Sequence, residues 1–266
     1  MKTFIFPGQG SQYKGMGIKL SKLYRDSETI YKQAEEILGF DVKEISFYDE
    51  KNTLINTNIT QPAIFVYNYI ADQYLKFLNI NPDAVAGHSL GEISALVSSE
   101  VLTFIDGLKI VKIRSEEMAN ANTNIKGSMA ALIGTSIEQA KEVCSKFDNI
   151  SIANFNTPNQ IVISGEENSI KKAIILSKKI GIKRAIPLKV SGAFHSKLMK
   201  TAREKLKNIV EKTTFHKPVI NLYQNSTGKK HNTIQNIKNN LIDQLESPVY
   251  WTDIIRNINN NKIKTF

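Results

Sequence analysis

The stretch Gly87-His88-Ser89-Leu90-Gly91 constrains this chain most, because an apolar run, Ala84-Val85-Ala86, leads into it and a helix-forming run, Glu92 to Val97, leads out. A strand that turns sharply into a helix through Gly-x-Ser-x-Gly lifts its serine onto an exposed, strained elbow. The glycines answer crowding, since a β-carbon at either position would strike the neighbouring strand or helix. Ser89 is thereby a candidate nucleophile. The helix that follows aims free backbone N–H groups, beginning with that of Leu90, at the oxygen of an acyl group attacked by Ser89.

The rest of the chain supplies a frame for such an elbow. Thr3 to Phe6 reads as a strand, with helices within 17–38 and 61–79, the elbow strand, helices over 91–99 and 104–119, then a strand from Val219 to Tyr223. This alternation predicts an α/β fold, a hydrolase-like, mostly parallel sheet with helices on both faces. Ligands bind such sheets at the carboxyl ends of the strands, where Ser89 would sit.

Residues 128–190 follow a different order. Ser128 to Ile133 is an apolar strand, and Thr135 with Glu138 predicts a capping box for a helix through Phe147. Strands Ile150 to Phe155 and Gln160 to Ser164 flank a turn, Asn156-Thr157-Pro158-Asn159. A second helix carries Ile170, Ala173, Ile174 and Ile180, ends at Gly181, and leads to a strand from Ala185 to Val190. The order β-α-β-β-α-β is a ferredoxin-like unit. The expected division is a discontinuous large α/β subdomain, 1–124 and 192–266, around a small subdomain, 125–191.

Composition narrows the class of function. With 41% hydrophobic and 23% charged residues, no apolar run long enough for a membrane span and no signal-peptide pattern, a cytoplasmic protein is expected. Cys144 is the single cysteine, which excludes an internal disulfide and a cysteine-cluster metal site; its helical setting predicts a packed thiol. His88, His195, His216 and His231 offer no i, i+4 metal pair. The net charge of +10 favours anionic partners, yet no arginine-rich arm or aromatic-basic ladder points to nucleic acid. The basic residues Lys171, Lys172, Lys178, Lys179, Lys183 and Arg184 cluster in the insert and are expected near the cleft rim where the second helix faces outward.

A serine nucleophile needs a base, because its hydroxyl is protonated at neutral pH. His195, in Ser191-Gly192-Ala193-Phe194-His195-Ser196, lies where the chain returns from the insert and must pass the cleft between the two units. His88 would point away from Ser89 across a tight elbow and is read as orienting or packing. The glycine-rich loop Phe6-Pro7-Gly8-Gln9-Gly10-Ser11-Gln12 lacks both the Lys-Ser/Thr of a P-loop and the spacing of a dinucleotide fingerprint. An alternative use is half of an oxyanion hole, the Gln9 N–H opposing that of Leu90.

Taken together, the Phe6–Gln12 loop, Gly87-His88-Ser89-Leu90-Gly91-Glu92, Asn154-Phe155-Asn156-Thr157-Pro158, Gly192-Ala193-Phe194-His195-Ser196, and Gln244-Leu245 with Ser247-Pro248-Val249 and Trp251 closely resemble the malonyl-CoA:acyl carrier protein transacylases. The resemblance runs through essentially the whole chain in the family's order. It implies Ser89 as nucleophile, His195 as base, Gln9 and Leu90 as oxyanion donors and Arg114 as ligand of the malonyl carboxylate. Phe194, Asn154 and Asn156 would line the substrate site, and the Gln244 backbone carbonyl would steady the histidine where hydrolases use an aspartate. Malonyl-CoA and an acyl carrier protein bearing phosphopantetheine are the implied substrates, with no metal or other cofactor, in an enzyme of fatty-acid synthesis expected to act as a monomer. A discrete acyltransferase of a polyketide synthase is the alternative within the family, and a serine thioesterase or esterase the alternative outside it. Family members continue past a strand like Lys262-Ile263-Lys264-Thr265-Phe266 into a Gly-Pro-Gly turn and a terminal helix, which this sequence lacks.

Overall fold

The structure, a computed structural model, describes residues 2–121 and 126–260. The predicted strand at 262–266 and the 124/125 boundary lie outside the described residues. The frame opens with β1 (Thr3–Phe6), α1 (Ile18–Leu23), α2 (Ser27–Leu38), α3 (Val42–Tyr48), α4 (Thr57–Phe77), β2 (Ala84–Gly87), α5 (Gly91–Ser98) and α6 (Phe104–Asn120). Next come β3 (Gly127–Ile133), α7 (Ile137–Ser145), β4 (Ile150–Thr157), β5 (Gln160–Glu166), α8 (Glu167–Lys179) and β6 (Arg184–Pro187). The chain then returns to the frame through α9 (Lys200–Lys212), β7 (Asn221–Tyr223), β8 (Lys230–His231), α10 (Ile234–Asp243) and α11 (Trp251–Asn260).

Two four-stranded sheets result, ordered β1-β2-β7-β8 and β4-β5-β3-β6. In the first, β1, β2 and β7 are parallel and only β8 runs against them. β2 is buried along its whole length, as its unbroken small apolar run requires of a central parallel strand. The second sheet is antiparallel throughout, with the crossed order of a ferredoxin-like unit.

The alternation of the insert's strands decides which face meets the frame. Met129, Ala131 and Val162 join the core of the large unit, whereas Ala130, Leu132, Ile161 and Ile163 turn the other way, onto Ala140, Val143, Ile170 and Ala173 of the insert's helices. Consequently α8 covers the outward face of the sheet. Its exposed Lys171, Lys172, Lys178 and Lys179 stand on the side of α8 turned away from that sheet, because Ile170 and Ala173 must shield the outer face. Cys144 packs against the same core, and burial pushes its thiol up to about 12.

Other expectations shift by a residue or more for local reasons. The α7 capping box is Ser136 with Gln139, not Thr135 with Glu138: Thr135 is buried and its hydroxyl donates to the Ser136 carbonyl, leaving Ser136 to accept from the Gln139 N–H. β4 runs through Asn156 to Thr157, leaving Pro158-Asn159 as the turn. β6 stops at Pro187, and β7 starts only at Asn221, because the Val219 N–H is used by the Ser99 carbonyl.

β4 also reaches across to the frame. The Val249 N–H donates to the Ala153 carbonyl at 2.8 Å, the Phe155 N–H to the Val249 carbonyl at 2.9 Å, and the Thr252 hydroxyl to the Phe155 carbonyl at 3.0 Å. At the elbow, a β-carbon on Gly91 would lie 2.1 Å from the Phe6 carbonyl oxygen. Gly91→Ala must therefore push α5 off β1, and overpacking against rigid backbone costs about 1–3 kcal/mol or more. A melting temperature equal to that of the parent chain would contradict this.

Candidate active site

Ser89 closes the turn between β2 and α5 with φ 51°, a left-handed backbone that a serine adopts only under constraint. The His88 N–H donates to the Phe6 carbonyl at 3.0 Å, and the Glu92 N–H to the Ser89 carbonyl at 3.1 Å, so the turn is held from the strand side and the helix side. Leu90 is the N-cap of α5, and its amide is among those the helix leaves unused. Gly8 brings the first loop hard against this turn: a β-carbon there would be 2.3 Å from the His88 carbonyl oxygen. Gln9 thereby reaches the wall of the same cavity as Ser89 and Leu90.

His195 arrives from the segment after the insert, also in a left-handed conformation, φ 57°. Its Nε2 is 2.8 Å from Ser89 Oγ, and its Nδ1 is 2.8 Å from the Gln244 carbonyl oxygen. A carbonyl can only accept, so Nδ1 carries the proton and the Nε2 lone pair faces the serine hydroxyl. Burial, reinforced by the nearby Arg114 charge, holds the imidazole down to about 3, against the smaller opposing effect of the Gln244 carbonyl. The imidazole is therefore neutral at any ordinary pH, and its Nε2 can accept a proton.

Arg114 is completely buried on α6. Its Nη2 donates to Ser89 Oγ at 3.0 Å and to Gln244 Oε1 at 2.9 Å, and its Nη1 to Gln61 Oε1 at 2.6 Å. The Nε atom is buried without a partner. Desolvation lowers the guanidinium to about 10, partly offset by Glu92. A positive charge so placed withdraws electron density from Ser89 Oγ and offers the Nη edge to an anion that displaces the amide of Gln61 or the serine oxygen.

The cavity above these groups has a volume of about 160 Å³. Asn154, Asn156 and Phe194 line it, with Met118 and Met129 supplying apolar wall. Bulges in β4, between Ile152 and Asn154 and between Phe155 and Thr157, re-aim the strand there. His88 turns away from the serine: its Nε2 pairs with Asn156 Oδ1 at 2.9 Å, and its ring packs edge-on against Trp251. Among the described residues no group of three or more His, Cys, Asp or Glu is arranged to hold a metal ion, and no helix is long and apolar enough to cross a membrane.

Sequence reasoning missed two buried amides. Gln61, on α4, ties the first loop to the guanidinium by donating to Gln9 Oε1 at 3.3 Å while accepting from Arg114. Asn225, just past β7, accepts from the Ser89 N–H at 2.6 Å. The only available signal for Asn225 was its place beyond the carboxyl end of a parallel strand.

The pH dependence follows from His195. Protonation of Nε2 would stop it accepting the serine proton, so activity falls on the acid side; with the imidazole held near 3, that fall lies far below the ordinary 6.5. Single-turnover acylation followed by quenched intact-mass measurement is expected to stay flat from pH 8 to below pH 5. An inflection near 6.5 would contradict the burial argument. Stability behaves differently, because the unfolded chain protonates this histidine at 6.5: its contribution falls as pH drops from 6.5 toward 3, by about 1.4 kcal/mol per unit. Glu92, pushed up to about 7 by burial, opposes this, since its contribution is lost as pH rises from 4.5 to 7.

The chain matches the acyl transferase domain family over residues 3–266. It is 39% identical over 261 residues to a polyketide biosynthesis malonyl CoA-acyl carrier protein transacylase of Bacillus subtilis, covering 96% of this chain and 88% of that protein. It is 38% identical over 268 residues to a malonyl CoA-acyl carrier protein transacylase of the same organism, covering 99% of this chain and 84% of that one. The solved malonyl CoA-acyl carrier protein transacylase of Coxiella burnetii superposes with a TM-score of 0.95 at 31% identity, over 98% of this chain and 84% of that chain. With a serine elbow, a neutral buried histidine and a buried arginine set in that architecture, the chain belongs to the acyl transferase family, among the malonyl CoA-acyl carrier protein transacylases.

Proposed function

We infer that the chain moves a malonyl group from coenzyme A to the phosphopantetheine thiol of an acyl carrier protein, for fatty-acid synthesis, through a malonyl-serine. The Ser89–His195–Gln244 chain of hydrogen bonds carries this reading. Ser89 Oγ attacks the thioester carbonyl as its proton passes to His195 Nε2. The N–H groups of Gln9 and Leu90 receive the oxyanion, and collapse expels the coenzyme A thiolate, which takes the proton from the imidazolium. The carrier thiol then reverses these steps. One thioester is exchanged for another, so the transfer needs neither a metal nor nucleotide hydrolysis.

Arg114 is the residue we assign to the malonyl carboxylate. Anchoring that end fixes the acyl group in a cavity of about 160 Å³ whose walls, Phe194, Met118 and Met129, give room to a short chain only. Asn154 and Asn156 supply the polar contacts of the same pocket. That Ser89, His195, Arg114 and Gln244 meet within one chain supports reading it as a monomer, and we place it in the cytoplasm. A thioesterase would use the same nucleophile, but His195 leans on a carbonyl rather than a carboxylate, which supports the imidazolium less well and favours transfer to a good nucleophile such as a thiol.

Intact-mass measurement tests this. Incubation with malonyl-CoA is expected to add one malonyl group to the peptide containing Ser89, and holo acyl carrier protein to remove it as malonyl thioester. Labelling at another residue, or release to water faster than to carrier, would overturn the assignment.

A further inference from the structure

Parallel pairing of β2 with β7 runs Ala84 with Asn221, Val85 with Leu222 and Ala86 with Tyr223, then stops, because β2 turns into the elbow. The ladder would next engage the residues after Tyr223, but backbone cannot follow a turn of this sharpness. The Asn225 side chain does so instead. Its Nδ2 donates to the Gly87 carbonyl at 2.7 Å and its Oδ1 accepts from the Ser89 N–H at 2.6 Å, spanning the two residues either side of His88.

Asn225 is itself fixed from the far side of the elbow. Its own N–H donates to Glu92 Oε2 at 2.6 Å, while Gln224 Nε2 reaches Glu92 Oε1 at 3.2 Å. Both Asn225 and Glu92 are completely buried. Glu92 lies on the first turn of α5, so strand exit, nucleophile and helix entry are tied to one amide and one carboxyl group. An unsupported serine at φ 51° would relax toward an ordinary backbone and carry Oγ off the line to His195 Nε2.

We propose that Asn225, anchored by Glu92, is a positioning residue that holds Ser89 in its reactive backbone conformation. The proposal rests on Ser89 being the nucleophile and is otherwise independent of the acyl donor. Removing the brace displaces Oγ without removing it, and a shift of about 1 Å at a reacting atom is worth on the order of 10²-fold in rate. Contacts to coenzyme A and to the malonyl carboxylate are left in place, so kcat falls while KM moves little.

The experiment compares the parent chain, Asn225→Ala, Glu92→Gln and the double variant, each with a thermal melt and two probes of Ser89. One probe is single-turnover malonylation by malonyl-CoA. The other is a fluorophosphonate, whose phosphorus bonds to Oγ as fluoride leaves and the serine proton passes to His195; it makes no use of a carboxylate. Expected is a cooperative melt for Asn225→Ala, both probes slowed on the order of 10²-fold with little change in KM, and a double variant no slower than the slower single. Near-parental rates in folded Asn225→Ala, a loss confined to malonyl-CoA, or rate losses that multiply in the double variant would each overturn the brace. Should Asn225→Ala not fold, the isosteric Glu92→Gln carries the same thresholds. A parent chain that takes the fluorophosphonate but not malonyl-CoA would refute the proposed reaction and leave the brace to be judged by the fluorophosphonate alone.

Discussion

Ser89→Ala is expected to lower kcat for malonyl transfer by a factor on the order of 10⁶ and to abolish covalent labelling altogether, because it removes the oxygen that stands 2.8 Å from His195 Nε2. His195→Ala is milder. Oγ remains in place, still polarised by the Arg114 Nη2 contact at 3.0 Å, and the loss should be about 10² to 10⁴, the range for a general base. In the proposed mechanism the two residues share one proton transfer, so the double variant should be no worse than Ser89→Ala alone. Labelling and turnover by quenched mass measurement check all three. Transfer surviving in Ser89→Ala would remove the serine from the mechanism.

Arg114→Ala carries the second large effect, and its signature is selectivity. A malonyl carboxylate left unpaired in a desolvated cleft costs about 2–5 kcal/mol, or roughly 30- to 5,000-fold in kcat/KM. Acetyl-CoA has no carboxylate to lose and gains from the removal of a buried cation whose Nε already lacks a partner. The ratio of kcat/KM for malonyl-CoA over acetyl-CoA should therefore collapse. Arg114 also touches Ser89 Oγ and Gln244, so both rates can fall together. A ratio that stays constant under that common fall would mean that another group reads the carboxylate.

The features legible in the sequence are those whose chemistry is local. The elbow announces itself because its five residues are contiguous and one of its demands is local: a β-carbon on Gly87 would come within 1.9 Å of Gly91 in the same turn, whereas Gly91 answers to Phe6 of β1. The α7 cap was misplaced by one residue because Thr135…Glu138 and Ser136…Gln139 both satisfy the capping pattern, and only the burial of Thr135 separates them. The basic cluster of α8 could be listed but not aimed, since a helix's lysines say nothing about which face of a sheet its apolar stripe will cover. Gln61 and Asn225 had no local signature at all. An amide in a helix or after a strand looks ordinary until a guanidinium 53 residues away, or an N–H 136 residues away, arrives beside it.

The hydrogen bonds that tie Ala153 and Phe155 of β4 to Val249 bear on how the molecule comes apart. The insert leaves and rejoins the frame through two covalent strands, and this clasp adds a third attachment across the middle, next to the apolar patch of Met129, Ala131 and Val162. Separating the two units would expose that patch and leave the clasp's amides unpaired, so neither gains anything by melting first. Heat or denaturant should thus break the protein in a single step, with the insert's antiparallel sheet and the frame's parallel sheet lost at one midpoint.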